Sequence, residues 1–79
     1  MKLIVVSPAG LLAEAECESV RLPVSDGGSC GIRPGHAPEL IALGAGRVTA
    51  ARAGSPVLER EIGPGVASVT PDTVTVIVG

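Results

Sequence analysis

The sequence predicts an all-β sandwich, and three observations carry that prediction. Short β-branched and apolar runs recur along the 79 residues, from Leu3-Ile4-Val5-Val6 to Val74-Thr75-Val76, each bounded by Gly, Pro, Ser or Asp. Between Leu11 and Leu22 the pattern alternates with period two, as a half-buried strand requires. No stretch carries a helical apolar stripe: the Ala, Glu and Leu content of Gly10 to Val20 suits a helix, but its apolar residues do not fall on one face.

Taken in order, Lys2 to Val6 is a first strand closed by Pro8-Ala9-Gly10. In the next run Glu14, Glu16 and Glu18 share a solvated face, opposite Ala13, Ala15 and Cys17. Val20 and Leu22 have the parity of the glutamates, so the strand must change face, and a β-bulge near Glu18-Ser19 is expected. Ser25-Asp26-Gly27-Gly28-Ser29 is a turn, because Asp bonds its own backbone and glycine permits left-handed conformations. It is not a phosphate loop, which needs a Lys and a following helix N-terminus.

Leu40 to Leu43 is a short apolar strand. Arg47 to Arg52 and Val57 to Ile62 form a hairpin about Ala53-Gly54-Ser55-Pro56, with Arg52 and Arg60 expected among Glu59 and Glu61 on a solvated face. Val66 to Thr70 and Thr73 to Val78 form a last hairpin, where Pro71 suits the second position of a type I turn. The expected interior comprises Val5, Cys17, Val20, Leu22, Val48, Val69, Val74 and Val76.

The densest turn chemistry lies in Gly31-Ile32-Arg33-Pro34-Gly35-His36-Ala37-Pro38. Both prolines fix φ and push Arg33 and Ala37 towards extended backbone, while Gly35 is free to take a positive φ. The stretch therefore forms a rigid corner that presents His36, the one histidine in the chain.

Composition bounds the function. A single domain of 79 residues without Phe, Tyr or Trp builds its core from Val, Leu, Ile and Ala and is marginal alone, which fits a subunit that completes its burial against partners. A net charge of −2 and the lack of aromatic stacking platforms argue against nucleic acid. The apolar runs are too short to span a bilayer, and the run after Lys2 stops at Ser7-Pro8 without a cleavage region, so synthesis in the cytosol is expected. Cys17 and Cys30 imply no disulfide framework and fit a reducing compartment.

The Pro34-Gly35-His36-Ala37-Pro38 corner resembles the signature of the epsilon subunit of bacterial F-type ATP synthases. Further similarities follow in order: Ser19-Val20-Arg21-Leu22-Pro23 with Asp26-Gly27, then Ala42-Leu43 and Gly46, Gly65-Val66-Ala67, and Pro71 to Val76. Gly28-Ser29-Cys30 departs from the usual turn, Gly44-Ala45 replaces a frequent Lys-Pro, and Pro64 a frequent Gly.

The resemblance implies a two-sheet antiparallel β-sandwich of about ten short strands, occupying residues 1–79 as one domain. It further implies a non-catalytic central-stalk subunit of a proton-translocating enzyme, placed between the gamma subunit and the membrane c ring on the cytoplasmic face. By residue-level match, Ser7, His36 and Ile41 would face gamma, and the loop of Asp26, Gly27, Gly28, Ser29 and Cys30 would face the c ring. Family members commonly continue into a pair of C-terminal helices that inhibit hydrolysis and in some cases bind ATP. The sequence stops at Gly79, so the expectation is a coupling role without inhibition, ATP binding or any other cofactor.

No active site is legible. Cys17 and Cys30 lie 13 residues apart without a Cys-x-x-Cys pair, so spacing gives no support to a metal site with His36. Glu14, Glu16 and Glu18 read as soluble surface. On the residues alone a second class stays open: a stand-alone small enzyme or ligand-binding β-module using His36 and one cysteine.

Overall fold

A computed structural model describes residues 1–79. Nine strands follow one another: β1 (Lys2–Ser7), β2 (Gly10–Glu16), β3 (Ser19–Pro23), β4 (Ser29–Ile32), β5 (Glu39–Leu43), β6 (Gly46–Arg52), β7 (Ser55–Ile62), β8 (Gly65–Val69) and β9 (Thr73–Val78). They form a five-stranded sheet A in the order β2-β1-β9-β8-β5 and a four-stranded sheet B in the order β4-β3-β6-β7. The fold is the all-β sandwich expected, with nine strands where about ten were counted. All ladders are antiparallel except one, for β1 runs parallel to β9. Parallel strands need a long crossover. Here the rest of the chain is that crossover, because these are the first and last strands.

The core lies between the sheets and is entirely apolar, with fifteen buried residues and no buried polar side chain. All eight residues expected inside are among them. With no aromatic ring to fill space, the interior is closed by interdigitated Val, Leu and Ile from both sheets, led by Leu3, Leu22 and Ile32 at 0% exposure.

The face change after Cys17 has a different origin from the bulge expected near Glu18-Ser19. β2 ends at Glu16, and the chain crosses from sheet A to sheet B: Cys17 N–H donates to Met1 C=O and Glu18 N–H to Ala51 C=O, each at 2.8 Å. One residue therefore bonds to each sheet, and parity resets because a new strand begins. Bulges do occur in two other places. Val5 pairs with Ala13 and Val6 with Leu11, leaving Leu12 unpaired, while Ala50 pairs with Leu58 and Ala51 with Pro56, leaving Val57 unpaired. The second lies on edge strand β7, where a proline costs no ladder bond on its solvent side.

Two turns differ from expectation. The β6 to β7 turn is Ala53-Gly54 alone, with φ of 52° and 79°, a two-residue hairpin of the I′ kind that leaves Ser55 and Pro56 in the strand. At Pro71-Asp72 the closing bond runs from Thr70 N–H to Thr73 C=O, the reverse of a type I turn, and the Asp72 carboxylate accepts from both threonine hydroxyls at 3.1 Å. That side chain takes over the role of the missing turn bond.

Candidate functional site

The corner after β4 is a type II turn. His36 N–H donates to Arg33 C=O at 3.2 Å, Pro34 holds the second position, and Gly35 at the third has φ 85°, which only glycine adopts without strain. Gly35 N–H then donates to Pro71 C=O at 2.8 Å, tying the corner to the turn between β8 and β9. The imidazole is held too. Its Nδ1 lies 2.8 Å from Ala37 C=O, which can only accept, so Nδ1 carries a proton, and Nε2 lies 3.7 Å from the Glu39 carboxylate.

The loop before β4 is ordered by its own backbone. Asp26 Oδ1 accepts from Gly28 N–H at 2.8 Å, Gly27 N–H donates to Val24 C=O, and Val24 N–H to Gly28 C=O. Gly27, Gly28 and Ser29 are exposed, as is Asp26, whereas Cys30 is half-buried and packs against the core. The loop is also stitched to the end of β5 by Ser25 N–H to Ala42 C=O, Gly44 N–H to Pro23 C=O, and a bridge between Val24 and Leu43. β4 and β5, one edge strand from each sheet, therefore both run between the loop and the corner.

The residues matched to a gamma-facing surface do not form one patch. His36 is at the corner. Ser7 ends β1, and the registers Val6 to Ile77, Ile77 to Val66 and Val66 to Ala42 place that end beside the loop end of β5. Its hydroxyl accepts from Ala9 N–H at 3.2 Å and so orders the β1 to β2 turn. Ile41 is 8% exposed and belongs to the core: β5 turns Ile41 and Leu43 inward and Leu40 and Ala42 outward. The outward neighbour, Leu40, is 74% exposed.

Leu40 belongs to a larger feature that sequence reading missed. Leu11, Val6, Ile77, Val66 and Ala42 stand opposite one another in register across all five strands of sheet A, with Leu40 in the adjacent row. Leu11 is 60% exposed, and Ile77 and Val66 are over 40%. An apolar row of this extent on an outer face marks a contact surface. Alternation in the single strands hints at it only weakly, since Val6, Val66 and Ile77 read as ordinary strand residues until pairing aligns them.

On the outer face of sheet B the chain forms a concavity of about 700 Å³. Its floor is Ser19, Gly31, Thr49 and Ala51, all small, and Arg21, Arg33 and the corner rise around it. The expected grouping of Arg52 and Arg60 with Glu59 and Glu61 is absent from this sheet: Arg47 makes those pairs, at 3.2 and 3.0 Å. The register explains the exchange, because Arg47 stands opposite Glu61, and Thr49 opposite Glu59, on the outer face, whereas Arg60 stands opposite buried Val48. The hydrogen bond to Glu61, followed by the charges of Glu61 and Glu59, raises the Arg47 pKa above its ordinary value.

No nucleophile and base meet here. Both imidazole nitrogens of His36 have neighbours, Cys17 is buried at the crossing between sheets, Cys30 packs against the core, and no three His, Cys, Asp or Glu residues cluster as a metal set would. The geometry is that of a β-sandwich contact module with surfaces at its faces and ends.

The chain belongs to the family described as ATP synthase, Delta/Epsilon chain, beta-sandwich domain, whose model matches residues 1–79. No curated protein matched it by sequence. Among solved structures it is similar to a chain of the Tetrahymena thermophila mitochondrial ATP synthase central stalk and c ring, with a TM-score of 0.72 at 14% identity. The match covers 98% of this chain and 61% of that one, so the likeness is one of fold and the chain spans under two thirds of its relative.

Proposed function

We propose that this chain is a non-catalytic central-stalk subunit of a rotary ATP synthase that joins the gamma subunit to the membrane c ring. Family membership supports the assembly. The observation that carries the subunit role is the apolar row across the outer face of sheet A, on a domain too small to leave such area in water without cost. In this reading gamma lies along the sandwich, touching the His36 corner and Leu40 at one end and Ser7 at the other. The Asp26 to Cys30 loop faces the polar c-ring loops from the end where β4 begins. Torque then passes through β4 and β5, which connect corner and loop on both sheets and are pinned at each end by backbone bonds. The enzyme would sit at the cytoplasmic face of a proton-translocating membrane, with this chain attached through its partners. No helix in it is long and apolar enough to cross one.

The test is a pull-down with the cognate gamma subunit. Leu40→Glu combined with Ile77→Glu should abolish capture while the far-ultraviolet circular dichroism stays that of a folded β protein. Capture at wild-type levels by that folded variant would remove sheet A from the interface, and failure of the wild type to bind gamma would reject the subunit reading.

A further inference from the structure

We infer that the concave outer face of sheet B binds an acidic segment of a protein partner, its carboxylates held by Arg21 and Arg33. The chain has eight carboxylates and six Lys or Arg residues, yet Arg21, Arg33, Arg52 and Arg60 have no carboxylate partner, and of these four only Arg21 and Arg33 line the hollow. Other acids on the surface are engaged elsewhere: Glu18 with Ala53 N–H, Asp26 with Gly28 N–H, and Glu59 and Glu61 with Arg47. Two exposed charges are thus left facing one hollow in a chain of net negative charge.

Register places them on the same side. Arg21 stands opposite Gly31 on β4, Arg33 follows Gly31 by two residues, just past the last ladder pair of Val20 with Ile32, and both line the hollow. Arg21 Nη1 donates to the Ser29 hydroxyl at 3.1 Å, which holds that side chain on the Ser29 side of Gly31, with Arg33 on the other side. Between them the floor is cut low by Gly31, where an added Cβ would meet open space. Ser19 and Thr49 supply hydroxyls that no protein group engages.

The fork of a guanidinium accepts a carboxylate bidentately. An extended Glu-x-Glu repeats its side chains about 6.8 Å apart on one face, so it presents two carboxylates side by side to the two guanidinium groups. Other anions fit less well. Glu59 and Glu61 lie on the same sheet face and would repel the plane of an anionic bilayer, and a nucleic acid would find two cations and no ring to stack on. This site is on the sheet opposite the apolar row and shares only the His36 corner with the proposed gamma contact.

The test is an amide NMR titration of the isotopically labelled full chain with the capped peptide Gly-Glu-Val-Glu-Gly, beside Gly-Lys-Val-Lys-Gly and inorganic phosphate. The acidic peptide should shift the amides of Ser19, Arg21, Gly31, Arg33 and Thr49, more weakly as salt is raised, and the lysine peptide should not. Each of Arg21→Gln and Arg33→Gln should weaken binding about fivefold, the upper end for a part-exposed ion pair. The charge reversals Arg21→Glu and Arg33→Glu together should abolish it with spectral dispersion retained. Equal shifts from the lysine peptide, shifts confined to sheet A, or unchanged affinity in the glutamine variants would overturn the assignment. Phosphate that saturates the same amides as tightly as the acidic peptide would overturn it too, by reducing the site to one for simple anions.

Discussion

Leu40 and Ile41 are neighbours in sequence, with opposite fates. Leu40 sits in solvent on the outer face of sheet A and Ile41 in the core, so a glutamate does different things at each. At Ile41 the charge would be buried without a partner, a penalty of several kcal/mol against a stability of about 4 to 12 kcal/mol for a domain of this length. Ile41→Glu should therefore lose its cooperative urea transition, whereas Leu40→Glu should keep a midpoint close to wild type.

Cys17 supplies a pH-dependent contrast at the same scale. Burial is the main cause that pushes its thiol above its ordinary value of 9.0, outweighing the nearby N-terminal ammonium that acts the other way. Unfolding releases the group to ionise at its ordinary value, so the unfolded state binds fewer protons than the folded one above that pH. Stability associated with Cys17 is then intact below about pH 9 and falls as pH rises beyond it. Urea midpoints measured from about pH 8 to 10 should show this decline in the wild type and a smaller one in Cys17→Ala.

At the scale of elements, the β6 to β7 hairpin carries the one strained residue. Ala53 has a φ of 52° and is the only non-glycine with a positive value. A two-residue hairpin turn needs that conformation at both positions, and Glu18 reinforces it by accepting from Ala53 N–H at 2.7 Å. Ala53→Gly removes the Cβ strain, offset in part by the greater freedom of glycine when unfolded, and should stabilise the chain by about 0.5 to 1 kcal/mol in urea unfolding. The β8 to β9 pair has the opposite requirement. A Cβ at Gly65 would collide with the Ile77 carbonyl oxygen, so strand contact there depends on glycine. Arg60 has the inward parity of Leu58 and Ile62 but lies exposed on edge strand β7, where a charge discourages another sheet edge from pairing.

At the scale of the molecule, a core without aromatic rings in 79 residues leaves little reserve, and an apolar row stays in water. A partner that covers the row binds only the folded state, so it stabilises by mass action. Thermal unfolding followed with rising concentrations of the cognate gamma subunit should show a midpoint that climbs steadily. Leu40→Glu combined with Ile77→Glu should flatten that rise. The sandwich transmits load in the proposed role because its two sheets are joined beyond the core, by the corner bond from Gly35 to Pro71 and by the loop bonds to Ala42 and Pro23.

What the sequence determined by itself was local. Period-two alternation is a property of one strand, and it identified eight of the fifteen interior positions; Pro and Gly fix backbone angles within a few residues, and they identified the Pro34-Gly35-His36 corner. Tertiary structure decided whatever depends on which strand lies beside which. The parallel pairing of β1 with β9, the exchange of Arg47 for Arg60 in the ion pairs, the distance between Ser7 and His36, and the apolar row across sheet A are all consequences of register between residues far apart in the chain. Ile41 shows the boundary within a single strand. The run from Leu40 to Leu43 is apolar throughout, so only the second sheet settled which of Leu40 and Ile41 would be covered, because burial needs an opposing layer.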